Sequence, residues 1–147
     1  MSHGYDITNY TSINPNYGTI DDFKELVIKV HEKNMKLILD FVPNHTGDLH
    51  PWFIESAKGV GPYKDYYVWH EGVPDPENAG KTKPPNNWNI IGEGSAWHLH
   101  PTLNKWFIGQ FSHTMPDLNF WEPKVHEEME VRWFSRKVLN SSFISDF

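Results

Sequence analysis

The sequence contains no cysteine. Disulfides and thiolate metal sites are therefore excluded. No run approaches the ~18 apolar residues of a membrane-spanning helix. The stretch Met1–Gly4 has no apolar core of the signal-peptide kind. Basic side chains are in the minority, 13 against 19 acidic ones, for a formal charge of −6. A nucleic-acid-binding face needs the opposite balance, so nucleic acid is excluded as the expected partner. Internal repeats and low-complexity tracts are absent too.

Apolar material is not scarce. The 147 residues are 38% hydrophobic and 15% aromatic, enough for a core but too few for a complete (β/α) barrel. The most informative stretch runs from Leu37 to His45. Leu, Ile, Phe and Val without polar alternation suit a strand buried on both faces. The run stops at Pro43 and is followed at once by Asn44 and His45. Polar groups at such a strand end are where an α/β barrel keeps its site. A strand is expected over about 36–42.

Before it, Asn14 to Gly18 is turn chemistry. Thr19 suits an N-cap, with Asp22 three residues on in the capping-box position. Phe23, Leu26, Val27 and Val30 form one apolar stripe, and Glu25 and Lys29 an i,i+4 pair. These predict a helix over about 20–33. Helix then buried strand is part of a βαβ order.

From Asn44 to about Asn119 the chain is rich in Pro, Gly, Asn, Trp and Tyr. A short helix is expected to open near His50, and a short strand over Tyr66–Trp69. Pro74 to Trp88 reads as a loop. Ala96–His100 and Lys105–Ile108 read as two strands of a hairpin. A structureless segment of this length is improbable inside a compact domain, so it reads as an irregular inserted subdomain. Pro123 suits a first helical position, and Val125, Met129 and Trp133 recur every fourth residue, predicting a helix over about 123–138. The resulting division is 1–43, 44–119 and 120–147. Histidines do not make a zinc case: His126 to Glu130 lacks the second His of the zincin motif, and His98 and His100 share a strand face without a third ligand. Asn9, Asn44 and Asn140 head glycosylation sequons, which matter only in a secreted chain.

Several segments together resemble glycoside hydrolase family 13, the α-amylase family. They are Gly4–Ile7, Asn16–Thr19, Leu39–Thr46, His50–Phe53, Asp65–Trp69, Pro85–Trp88 and Pro116–Phe120. The branch they are most similar to holds α-glucosidases (maltases, oligo-1,6-glucosidases) and the rBAT-type heavy chains of amino-acid transporters. The resemblance implies an α/β fold: an incomplete (β/α)8 TIM barrel. It would run from about the end of the second barrel strand to the start of the fourth, with the insert after the third. It implies that Tyr5 stacks on a terminal glucose, that His45 hydrogen-bonds it, and that Phe111 walls the subsite. Asp6 and Asp40 would hold barrel geometry. Asn44 and Asp117 occupy positions that some members use for calcium, the alternative being a hydrogen-bonded pair. Asp146 is the one candidate for the nucleophile position. The acid/base and the third carboxylate of the family have no counterpart. Ser2 and Met115 replace an aspartate and a glutamine usual in glucosidases, and Ile144 stands where an arginine is expected.

Two functions follow as expectations. One is part of an α-glucosidase, whose parent cleaves terminal α-glucosidic bonds of oligosaccharides, with this chain inactive. The other is part of a heavy-chain ectodomain that supports an amino-acid transporter light chain. In keeping with this, the family implies a secreted protein or a single-pass plasma-membrane ectodomain.

Overall fold

A computed structural model describes residues 4–90, 92 and 94–140, with the backbone alone over 133–140. The described residues fall into two compact units, one within 4–8 and 42–125, the other within 9–41 and 126–140.

In the second unit, α1 spans Ile20–Glu32 and begins with a complete capping box. Asp22 N–H donates to Thr19 Oγ1 at 3.2 Å, and Thr19 N–H donates to Asp22 Oδ2 at 2.7 Å. These reciprocal bonds satisfy donors that a helix start otherwise leaves open. The helix ends in a Schellman motif. Asn34 takes a left-handed φ of 54°, with its N–H on the His31 carbonyl and the Met35 N–H on that of Val30. Of the apolar stripe, Val27 is buried and Leu26 is about half exposed (49%). Tyr10 is also buried, its ring 6.3 Å from that of Phe41.

The expected strand over 36–42 is not formed as one. Residues 35–43 carry no strand assignment, and Ile38 is 92% exposed. A parallel strand needs flanking strands from other βα units, and no parallel ladder exists among the described residues.

The first unit is built around aromatic side chains. α2 (Pro51–Ala57) starts where expected, with Pro51 at its first position and the His50 ring as cap: His50 Nδ1 accepts from Trp52 N–H at 3.1 Å. Among the described residues five short strands follow: β1 (Trp69–His70), β2 (Val73–Pro74), β3 (Thr82–Lys83), β4 (Trp97–Leu99) and β5 (Trp106–Ile108). The expected hairpin is present, with β4 antiparallel to β5 in register Trp97 with Ile108. β1 pairs on the other edge of β5. The segment read as a loop from Pro74 to Trp88 contains a second hairpin, β2 with β3. Its turn is closed by Asp75, whose carboxylate accepts from Glu77 N–H and Asn78 Nδ2, side-chain chemistry that a strand pattern does not show.

Phe53 sits at the centre of this unit, its ring 5.0 Å from those of Tyr67 and Phe107 and 5.3 Å from that of Trp69. Edge-to-face and offset contacts of this kind add to the burial of large apolar area. α3 (Pro123–Asn140) opens at the expected proline, with Val125 and Met129 buried.

Candidate functional site

The segment after Pro43 is fixed by backbone bonds to a distant part of the sequence. His45 and Asp117 form an antiparallel bridge. Leu118 N–H donates to Asn44 O at 2.9 Å and Thr46 N–H to Pro116 O at 3.2 Å. Asp117 N–H in turn donates to Ile108 O at the end of β5, at 2.8 Å. Residues 44–46, 108–111 and 116–118 are thereby held side by side.

Five of the six site residues expected from sequence meet here. His45 is buried, at 4% exposure. Its Nε2 lies 3.0 Å from the Tyr5 carbonyl oxygen, and its ring centroid is 5.2 Å from that of Phe111. A carbonyl only accepts, so Nε2 carries the proton in this contact. One of the two ring nitrogens is thereby engaged with the chain itself. Tyr5 and Phe111 are both 49% exposed. The arrangement is thus a buried imidazole in contact with the Phe111 ring and with the backbone of Tyr5, both residues being half exposed.

Asn44 and Asp117, the chain neighbour and the bridge partner of His45, pair with each other. Asn44 Nδ2 donates to Asp117 Oδ1 at 3.0 Å. Gln110, which the sequence did not single out, donates twice: its Nε2 to Oδ2 at 2.7 Å and its backbone N–H to Oδ1 at 3.3 Å. Burial pushes the Asp117 carboxyl above its ordinary value, while the Gln110 and Asn44 donors and the nearby His45 pull it back. These groups line a cleft of about 250 Å³ together with Trp88 and Trp121. Calcium takes about six to eight oxygen ligands. Here three N–H groups face the carboxylate, a donor set that does not fit calcium. Asp146 lies outside the described residues.

The model of the alpha-amylase catalytic domain matches residues 1–141. The chain belongs to the alpha-amylase family. Within that family it is 46% identical over 139 residues to an alpha-glucosidase of Apis mellifera, covering 93% of this chain and 24% of the relative. It is 44% identical over 126 residues to the human amino acid transporter heavy chain SLC3A1, covering 86% and 18%. Among solved structures, the isomaltulose synthase of Klebsiella sp. LX3 superposes with a TM-score of 0.83 at 37% identity, covering 95% of this chain and 24% of that one. The chain therefore shares the fold of one portion of the alpha-amylase domain, and spans about a quarter of the length of these relatives or less. No helix among the described residues is long and apolar enough to cross a membrane.

Proposed function

We propose that Tyr5 and Phe111, backed by His45, form part of the glucose-binding face of an α-glucosidase-type domain, whose whole form hydrolyses terminal α-glucosidic bonds. The observation that carries this reading is two half-exposed aromatic residues joined to one buried imidazole, Phe111 by ring contact and Tyr5 through its backbone carbonyl. Rigid amphipathic rings suit sugar recognition: they offer flat apolar area at low entropic cost and, in tyrosine, a polar tip. In this reading His45 supports the face from behind, fixing Tyr5 through its carbonyl. The chain would supply a (β/α)8 barrel segment over 1–43, the inserted subdomain over 44–119, and a barrel helix after 120.

Retaining hydrolysis needs two carboxyl groups about 5–5.5 Å apart. In this sequence only Asp146 is a candidate for one of them, at the nucleophile position. The chain alone is expected to bind an α-glucoside without cleaving it. Titrating isotope-labelled protein with maltose should shift the ring signals of Tyr5 and Phe111, and a chromogenic α-glucoside should stay intact. Rings that do not respond to any α-glucoside would remove the basis for this assignment.

A second reading is a portion of a transporter heavy-chain ectodomain. The match to SLC3A1 over 86% of the chain favours it, as do Ser2 and Met115 in place of sugar-facing residues. Losing partners that read hydroxyls weakens sugar affinity. Silent rings in the maltose titration, with co-purification of a transporter light chain, would favour this second reading over the first.

A further inference from the structure

We infer that Gln110 and Asp117 form a positioning clasp for the Tyr5–His45–Phe111 face, an inference that rests on the sugar-binding reading above. Gln110 immediately precedes Phe111, and Asn44 immediately precedes His45. The rings of His45 and Phe111 meet, with centroids 5.2 Å apart. The residues just before them, Asn44 and Gln110, meet at one acceptor, both donating to the Asp117 carboxylate, at 3.0 and 2.7 Å. One buried side chain, 7% exposed, thus holds the residue before each ring. The backbone N–H of Gln110 also donates to Oδ1 at 3.3 Å, so the carboxylate fixes the main chain next to Phe111 as well. Asn44 Nδ2 stands 3.4 Å from His45 Nδ1, which extends the clasp to the imidazole whose far nitrogen holds Tyr5. The clasp itself touches no ligand. It acts by setting the angle and spacing of the rings that do.

The clasp is isosterically reversible, which makes it testable. Gln110→Glu puts a carboxyl oxygen where Nε2 now lies 2.7 Å from Asp117 Oδ2, and like charges repel there. Adding Asp117→Asn turns the pair around: the new amide donates to the new carboxylate, while its oxygen still accepts from Asn44. Asp117→Asn alone is expected to stay near the parent, because the Gln110 amide can turn end for end and accept. Two signals are read in each variant, maltose affinity by ring shifts and the exchange-protected Nε2–H of His45 by nitrogen-15 NMR. Gln110→Glu should lose about tenfold in affinity, the scale of one hydrogen bond to a charged group, together with the His45 signal. The double variant should restore both. Should Gln110→Glu not fold, Gln110→Ala takes its place and the double variant must still match the parent. A melting temperature that falls while affinity and the His45 signal hold would reduce the pair to a structural role and overturn the clasp. So would a double variant that stays impaired. If the parent does not bind maltose, the glucose-binding reading fails, and the His45 signal alone decides whether the clasp sets the ring.

Discussion

His45 Nε2 and the Tyr5 carbonyl oxygen stand 3.0 Å apart, joining positions forty residues distant in sequence. The bond fixes the stretch before α1 in the first unit, where Gly47 N–H also donates to Ile7 O at 2.7 Å. Both belong to one attachment. His45→Phe keeps a ring beside Phe111 and removes the donor. It should cost about 1 kcal/mol, the usual net worth of a hydrogen bond whose acceptor can be rehydrated. His45→Ala should cost about 2–3 kcal/mol, since it also removes buried ring volume. Urea unfolding of the two variants measures the difference. Faster amide exchange at Gly47 in both would place the loss at this attachment.

The aromatic centre of the first unit gives a larger effect. Phe53 lies within 5.3 Å, centroid to centroid, of Tyr67, Trp69 and Phe107. It is 4% exposed. Phe53→Ala removes that shared contact surface and leaves a cavity that the surrounding rings cannot fill without leaving their rotamers. A loss of roughly 3–5 kcal/mol is expected in denaturant unfolding. Phe53→Leu should recover more than half of it, because a leucine fills most of the space.

Some of this architecture was legible and some was not, for identifiable reasons. Helix α1 is written locally: Thr19 and Asp22 sit three apart at its start, and the apolar stripe has helical spacing. The β4–β5 hairpin is written locally as well, by two aromatic runs around Pro101 to Asn104. The strand over 36–42 was misjudged because an apolar run states burial, and burial of a barrel strand depends on neighbours that no described residue supplies. At the site, residue types could be recognised one at a time, yet their grouping depends on the bridge of His45 to Asp117, which no periodicity encodes. Gln110 was missed because a lone glutamine beside a phenylalanine carries no pattern. Its role exists only through the partner seven residues on.

His100 makes the fold sensitive to pH. Its ring lies 5.6 Å from that of Trp69 and 6.1 Å from that of Phe53, and burial lowers its pKa from the ordinary value of 6.5. Nδ1 also accepts from the N–H groups of Thr102 and Leu103, a role open only to the neutral ring. A group whose folded pKa is depressed takes up its proton more readily in the unfolded chain. Its contribution is therefore held above pH 6.5 and lost as pH falls through the lowered value. Urea midpoints at successive pH values should drop on acidification. His100→Asn, which keeps an acceptor without a titrating group, should show a shallower drop, and equal slopes would exclude His100 as a source.

Gly109 tests how tightly the site depends on backbone approach. A Cβ at this position would stand 2.5 Å from Ser112 O and 3.1 Å from Met115 O, both main-chain atoms that cannot swing away. Its own carbonyl accepts from His98 Nε2 at 2.9 Å, which limits how far it can retreat. Gly109 lies between β5 and Gln110, so any shift is passed to the residue that grips Asp117. Gly109→Ala should cost about 1–3 kcal/mol, the range for forcing atoms into a packed interior. It should also weaken maltose binding more than Phe53→Leu does at comparable stability, because it moves Gln110 and Phe111 where the core substitution does not. Measuring affinity and unfolding on both variants separates the two effects. Equal affinity in the two at matched stability would show that the 109–111 backbone does not set the ligand face.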